Sequence, residues 1–141
     1  MAEAAEPNPD VYESFNAFFT RELRDDARPL ERGRTTISCP VDGTISQIGR
    51  IDNGEVFQAK GKSFNLSALL GNDALASEFE DSQFTTIYLS PKDYHRIHFP
   101  IGGTLKKMVH VPGDLFSVNP TTVAAIDELF ARNERVIAFF D

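Results

Sequence analysis

Residues 84–100 of this chain read FTTIYLSPKDYHRIHFP, and both the fold and the expected site can be inferred outward from them. The first six residues are apolar or β-branched for the most part and predict a strand. Ser90, Pro91 and Asp93 then favour one helical turn, because serine caps helices, proline suits the first helical position and a carboxylate can complete the cap. Ile97, Phe99 and Pro100 disfavour further helix, so we predict strand, turn and strand.

Two of the three histidines, His95 and His98, lie in this stretch. Histidine is the side chain that most readily gives and takes a proton near neutral pH. Residues three apart share one face of a helical turn, whereas they lie on opposite faces of a flat strand. Two interpretations follow: a pair of rings at one cleft, or one histidine in the core and the other at a surface.

The composition is that of one soluble globular domain: 141 residues, 41% hydrophobic and 25% charged. A net charge of −7 argues against general nucleic-acid binding. No apolar run approaches the roughly 20 residues that span a bilayer. The single cysteine, Cys39, excludes an internal disulfide, and we expect it to be buried as a small apolar residue. One cysteine and three histidines give no structural zinc spacing, so no metal site is predicted.

The order of β runs and turn signals predicts an α+β fold, mainly antiparallel sheet in a barrel-like arrangement with short helices. Helices are expected near residues 15–21, 66–70 and 121–126. Asp42-Gly43 lies between two β runs and is typical of a tight turn, which is the first interpretation of Asp42. Residues 1–11 are predicted to be a disordered lead-in, and residues 12–141 one domain.

Six motifs, spread along the chain in order, carry a resemblance to a known family. They are SFNAFFTR at 14–21, PVDG at 40–43, QAKG at 58–61, YLSPKDYHRIH at 88–98, VPGDLFSVN at 111–119 and LFARNER at 129–135. Together they closely resemble bacterial phosphatidylserine decarboxylase from residue 12 onward. The specificity comes from the series, because no single short motif decides a family.

The resemblance implies a pyruvoyl enzyme that converts phosphatidylserine to phosphatidylethanolamine and CO2. Such a proenzyme cuts itself before a serine in a Leu-Gly-Ser-Thr segment, and the serine becomes the pyruvoyl group of a separate α chain. The family's aspartate falls on Asp42, in a Pro-Ala-Asp-Gly motif that here carries Val41, and its charge-relay histidine falls on His98. The other motif histidine, His95, is implied to handle a proton during decarboxylation. The resemblance thus reverses the turn interpretation of Asp42.

This relay has a clear chemical purpose, and the sequence departs from the family at one point. A serine hydroxyl is a poor nucleophile until a base takes its proton, and a carboxylate that orients the base assists it. No Leu-Gly-Ser-Thr occurs in the 141 residues, so we expect a truncated β-chain domain that is inactive alone. The implied partners are phosphatidylserine, the α chain and a membrane surface, at the cytoplasmic face of the cell membrane, with a homo-oligomer left open.

Two other classes of function remain open. A serine hydrolase would pair Ser90 or Ser117 with His98, although the sequence has no Gly-x-Ser-x-Gly elbow. A non-catalytic, β-rich module that binds lipid or protein would need no serine at all.

Overall fold

The computed structural model describes residues 2–30, 33 and 35–141, and the chain divides into two compact units. Unit 1 comprises residues 1–44 and 89–103, and unit 2 comprises residues 45–88 and 104–141. The histidine-containing motif therefore belongs to unit 1, whereas the strand that precedes it belongs to unit 2. The predicted division between residues 1–11 and 12–141 stays a prediction.

Paired strands make up most of the regular structure of unit 2. The strands are β1 (Thr44–Arg50), β2 (Glu55–Ala59), β3 (Lys62–Asn65), β4 (Gln83–Tyr88), β5 (Leu105–Val111) and β6 (Arg135–Phe140). β1 pairs with β4, while β2 pairs with β3 and β5 with β6, both antiparallel. The predicted α+β class is confirmed. Among the described residues none of these two-stranded sheets closes, so the barrel-like arrangement is not seen there.

The helices are short, and most begin at a side-chain cap. A 3-10 helix covers Pro9–Val11, followed by α1 (Phe15–Phe19), α2 (Leu66–Leu70), α3 (Asp73–Ser77), α4 (Pro120–Ala125) and α5 (Leu129–Arg132). The three predicted helices correspond to α1, α2 and α4. Helix α5 was not predicted, because the residue before it, Glu128, has a φ of 53° and makes no capping hydrogen bond.

The core of unit 2 lies where β2, β3 and α2 meet. Its buried apolar residues are Ile51, Val56, Phe64, Leu66, Leu70 and Ala76. One buried polar side chain, Gln58, is 1% exposed. Its amide donates to the carbonyls of Val123 and Ile126 and accepts from the N–H of Leu129. These bonds connect β2 to the segment between α4 and α5, and every polar atom of the amide group has a partner.

The helical turn expected at Ser90 is present only as a turn. Asp93 Oδ2 accepts a hydrogen bond from the Ser90 N–H at 2.8 Å, as the capping interpretation requires. The Asp93 N–H donates in return to the Ser90 carbonyl at 2.8 Å. Residues 91–93 nevertheless do not continue into a helix.

The second strand expected after this turn is wrong, because residues 94–99 form no strand. They run beside residues 38–40, where the Ser38 N–H donates to the Pro100 carbonyl at 3.0 Å and the His98 N–H donates to the Pro40 carbonyl at 2.8 Å. A hydrogen-bonded antiparallel pair would exchange two bonds at each point. Proline has no N–H, so neither bond is returned and no regular ladder forms.

Candidate functional site

Unit 1 contains a cavity of about 460 Å³, and two of the three predicted site residues, Asp42 and His98, line it. The wall is built from residues 22–30, 39–42 and 94–98. Cys39 also lines it and is exposed, so the expectation that it is buried is wrong. The bend at residues 40–43 turns the chain there, and Cys39 Sγ lies 3.2 Å from the carbonyl oxygen of Val41.

Asp42 lies in this bend, just before β1, and its carboxylate is held by Arg28. Nε of Arg28 donates to Oδ1 at 2.9 Å, and Nη2 donates to Oδ2. These hydrogen bonds lower the pKa of Asp42 below its ordinary value, and the charges of Arg28 and His98 lower it further. Burial opposes this shift without reversing it. Asp42 is therefore held ionised, with a carboxylate oriented by the guanidinium.

His98 is exposed, whereas its hydrogen-bond partner Tyr94 is buried. The Tyr94 hydroxyl lies 2.9 Å from Nε2 of His98, and the two rings stack with centroids 5.5 Å apart. The backbone bond from His98 to Pro40 sets the motif YHRIH beside the motif PVDG. Because Asp42 follows Pro40 by two residues, this local pairing places Asp42 and His98 at the same cavity.

The relay hydrogen bond itself is not present in the described residues. The Asp42 carboxylate is bonded to Arg28, and Nε2 of His98 is bonded to Tyr94. The two groups still interact through space, since the charge of His98 acts on the pKa of Asp42. The structure thus brings the two residues together, and their roles in a relay stay a prediction.

His95 is placed differently from the other two predicted residues. Its Nδ1 lies 2.8 Å from the backbone carbonyl of Asp93, and its ring lies 3.8 Å from that of Phe19, centroid to centroid. A carbonyl oxygen can only accept, so Nδ1 carries the hydrogen and Nε2 of the neutral ring is left as an acceptor. His95 is not among the described residues that line the 460 Å³ cavity.

The two serines of the hydrolase alternative have local structural partners. Ser90 is bonded through its backbone to Asp93, and it does not line the cavity among the residues described. Ser117 Oγ accepts from the side chain of Asn119, the residue that caps α4. Neither serine is paired with a histidine in the part of the chain that the structure describes. No group of three or more metal-ligating side chains occurs there either.

Sequence reasoning assigned no role to three residues of this arrangement, Arg28, Glu3 and Tyr94. Arg28 lies outside the six motifs and Glu3 lies in the predicted lead-in, yet Arg28 bridges Glu3 and Asp42. Tyr94 was counted in the motif without a role. Its place four residues before His98 was the available signal, whereas nothing local indicated that residue 28 reaches residue 42.

A family model described as phosphatidylserine decarboxylase matches residues 15–141, which is most of the chain. The chain belongs to this family. It is 61% identical to the phosphatidylserine decarboxylase proenzyme of Bordetella pertussis, with 100% of the chain and 48% of that protein covered. The proenzyme of Marinobacter nauticus is 59% identical with 50% covered, and that of Idiomarina loihiensis 58% identical with 49% covered. The chain spans about half the length of these curated relatives.

The family assignment confirms the resemblance that the six motifs carry. Two of those motifs supply the cavity: PVDG contributes Asp42, and YLSPKDYHRIH contributes Tyr94 and His98. Within the described residues, this phosphatidylserine decarboxylase family member has no helix long and apolar enough to cross a membrane.

Proposed function

We propose that this chain is the β-chain part of a phosphatidylserine decarboxylase in which Asp42 and His98 drive self-cleavage. The observation that carries the proposal is the shared cavity, where an ionised, oriented carboxylate lies near an imidazole. The relatives' name, a proenzyme, also fits a chain that is cut before it works. In the complete protein the reaction is the conversion of phosphatidylserine to phosphatidylethanolamine and CO2.

His98 acts first, as the base for the pyruvoyl-forming serine. It takes the hydroxyl proton so that the serine oxygen can attack the preceding peptide carbonyl. Asp42 orients the ring and stabilises the imidazolium that forms. No Leu-Gly-Ser-Thr occurs in residues 1–141, so the proposal assigns this serine to the remaining part of the proenzyme. Nε2 of His98 is assigned to the serine, whose hydroxyl would replace the Tyr94 hydroxyl at that nitrogen, and Nδ1 is assigned to Asp42.

The groups along this wall fit a pyruvoyl cofactor. A keto group and its neighbouring carbonyl accept hydrogen bonds, and the Tyr94 phenol, the His98 ring and the Arg28 guanidinium can donate them. When present, the pyruvoyl group supplies an electron sink for the loss of CO2. His95 is proposed to take up a proton on Nε2, its acceptor nitrogen, and to return it to the carbon that loses CO2.

The proposed setting is the cytoplasmic face of the cell membrane, with the protein bound peripherally. Its substrate lipid lies in that membrane, and its protein partner is the α chain that carries the pyruvoyl group. Self-association of the complete enzyme stays a prediction. The 141-residue chain alone is expected to release no CO2 from phosphatidylserine, since it has no serine motif from which to make the cofactor.

The test uses a complete proenzyme that carries residues 1–141, purified after self-cleavage. Hydroxylamine or borohydride should modify the smaller chain at its pyruvoyl group, and the protein should decarboxylate phosphatidylserine. A serine hydrolase would react instead with a fluorophosphonate, and a binding module with neither reagent. Modification by the fluorophosphonate alone, or by no reagent, would overturn the proposal. Release of CO2 by the 141-residue chain alone would contradict the assignment of the serine to another part.

A further inference from the structure

We infer that Arg28 is a positioning residue for Asp42, which holds the carboxylate in the orientation that self-cleavage needs. The inference rests on the proposed function of Asp42 and adds a residue to it. Arg28 lies 14 positions before Asp42 and grips it through two donors, Nε and Nη2. A planar guanidinium matches a carboxylate edge to edge, so the pair restrains rotation of the Asp42 side chain as well as its position.

Glu3 holds the other edge of the same guanidinium. Its two carboxylate oxygens accept from Nη1 at 2.9 Å and from Nη2 at 3.1 Å. Nη1 also donates to the carbonyl of Ala27 at 2.6 Å. Arg28 is therefore held by two partners besides Asp42, through three hydrogen bonds that restrain its side chain. This arrangement is what a positioning group requires, because a loose guanidinium would follow the carboxylate instead of directing it.

The exposure of these groups limits what the pair adds to stability, so its main effect is on the orientation of the Asp42 carboxylate. The side chains of Arg28, Asp42 and Glu3 are 42%, 30% and 57% exposed. Ion pairs in water-accessible positions usually contribute little to the free energy of unfolding. A bidentate pair within a network, such as this one, can contribute more. What Arg28 supplies is a fixed direction and a nearby positive charge at a cavity wall.

The contact leaves room for His98. An ionised carboxylate has about four acceptor sites, and Arg28 uses two of them. The charges of Arg28 and His98 both lower the pKa of Asp42. Glu3 binds the other edge of the Arg28 guanidinium, where Arg28 lowers the pKa of Glu3. Arg24 lines the first cavity, while Lys92 and Asp93 line a second of about 310 Å³ that Asp42 also borders. Arg28 can thus hold Asp42 while a free lone pair remains for the imidazole.

The test follows the rate of self-cleavage against pH in a complete proenzyme that carries these residues. On the acid side the rate falls as Asp42 and the base His98 take up protons. Arg28→Ala removes the cation that disfavours this uptake at the shared cavity, so the fall should begin at a higher pH than in the wild type. Glu3→Gln removes a negative charge but keeps the grip on Asp42, so this acid limb should stay in place or move to lower pH. Simple loosening of the fold would lower the rate at every pH and leave the limb unmoved in both variants.

Arg28→Lys separates charge from orientation and serves where Arg28→Ala does not fold. Lysine keeps the charge without the fork. The acid limb should stay near its wild-type pH, while the plateau rate should fall by about tenfold or more. A wild-type plateau and limb in Arg28→Lys, or an unmoved limb in a folded Arg28→Ala, would overturn the inference. Asp42→Asn, run in parallel, tests the proposed function itself, because normal cleavage there would remove Asp42 from the mechanism. If cleavage is blocked, the role of Asp42 holds, and the Arg28 variants then test the positioning role alone.

Discussion

The hydroxyl of Tyr94 and Nε2 of His98 lie 2.9 Å apart, and the two rings stack at an interplanar angle of 25°. Tyr94 is 6% exposed, whereas His98 lies at the surface. A buried phenol therefore determines which nitrogen of an exposed imidazole remains for other partners. Because Tyr94 is bonded to Nε2, Nδ1 is the nitrogen of His98 that has no hydrogen bond to Tyr94.

Replacing Tyr94 with phenylalanine removes this hydrogen bond and keeps the stacked ring. We expect the free energy of unfolding to fall by about 1 kcal/mol, the net contribution of one such bond. The ring 15N signals of His98, which report its tautomer, should change at the same time. Tyr88→Phe is the matched control, since among the described residues no hydrogen bond of the Tyr88 hydroxyl occurs. Unchanged His98 signals in Tyr94→Phe would show that the phenol does not orient the ring.

Asp42→Asn and His98→Ala should each block self-cleavage of a complete proenzyme. Asparagine keeps the bend at residues 40–43 but removes the charge, and alanine removes the base. A positioned acid or base contributes roughly a hundredfold or more, so uncut proenzyme should persist on a gel. His110→Ala is the control, because His110 pairs with Glu134 in unit 2. Wild-type cleavage in both test variants would return Asp42 to a turn residue.

His95→Ala in the same experiment should separate the two chemical stages. Its proposed task comes after self-cleavage, so the gel should show the two chains while the assay for phosphatidylethanolamine falls. The substitution also removes the ring contact with Phe19, so circular dichroism should be used to check that the variant is folded. Failure to cleave in a folded His95→Ala protein would move His95 to the earlier stage.

The stability of the 141-residue chain should depend on pH through Asp42. The folded pKa of Asp42 is lowered, chiefly by hydrogen bonds from Arg28, so its contribution is present above the unfolded pKa of about 3.9. It is lost as the pH falls through the folded pKa. Urea unfolding should therefore show a gap between the wild type and Asp42→Asn that narrows below about pH 4. Asp25→Asn, which changes an exposed carboxylate, is the control. If the difference in unfolding free energy between the wild type and Asp42→Asn were as independent of pH as it is for Asp25→Asn, this would count against the ionised Asp42–Arg28 pair.

Gly113 should tolerate no side chain. A Cβ there would lie 2.2 Å from the carbonyl oxygen of Arg132 and 2.8 Å from backbone atoms of Asn133 and Glu134. Backbone atoms cannot rotate away, so Gly113→Ala should lower the free energy of unfolding by about 3 kcal/mol or more.

Gly102→Ala is the control for this substitution. A Cβ at Gly102 meets nothing within 4 Å, so the change should stay within about 0.5 kcal/mol. Denaturant midpoints of the two variants measure the difference. Equal midpoints would show that the backbones around residues 113 and 132 can separate.

Local signals were enough for the helices that begin and end at recognisable residues. Asn65 caps α2 and Gly71, with a φ of 65°, ends it, which is why residues 66–70 were predicted correctly. Helix α5 has no such cap, and tertiary packing forms it around the buried Leu129. The strand expected after residue 93 failed for a related reason. Apolar residues favour extended backbone, but a ladder needs donors, and the partner positions are prolines.

By itself the sequence determined the family and the three candidate residues, because motifs and their order can be read without any knowledge of the fold. Only the tertiary structure decided what each residue touches. It placed Asp42 and His98 at one cavity, whose lining among the described residues does not include His95. It also bonded the Asp42 carboxylate to Arg28 and Nε2 of His98 to Tyr94. The physical reason is that hydrogen bonds depend on distances of a few ångströms between groups far apart in the chain. Sequence spacing carries no such distance once the chain leaves regular helix or strand.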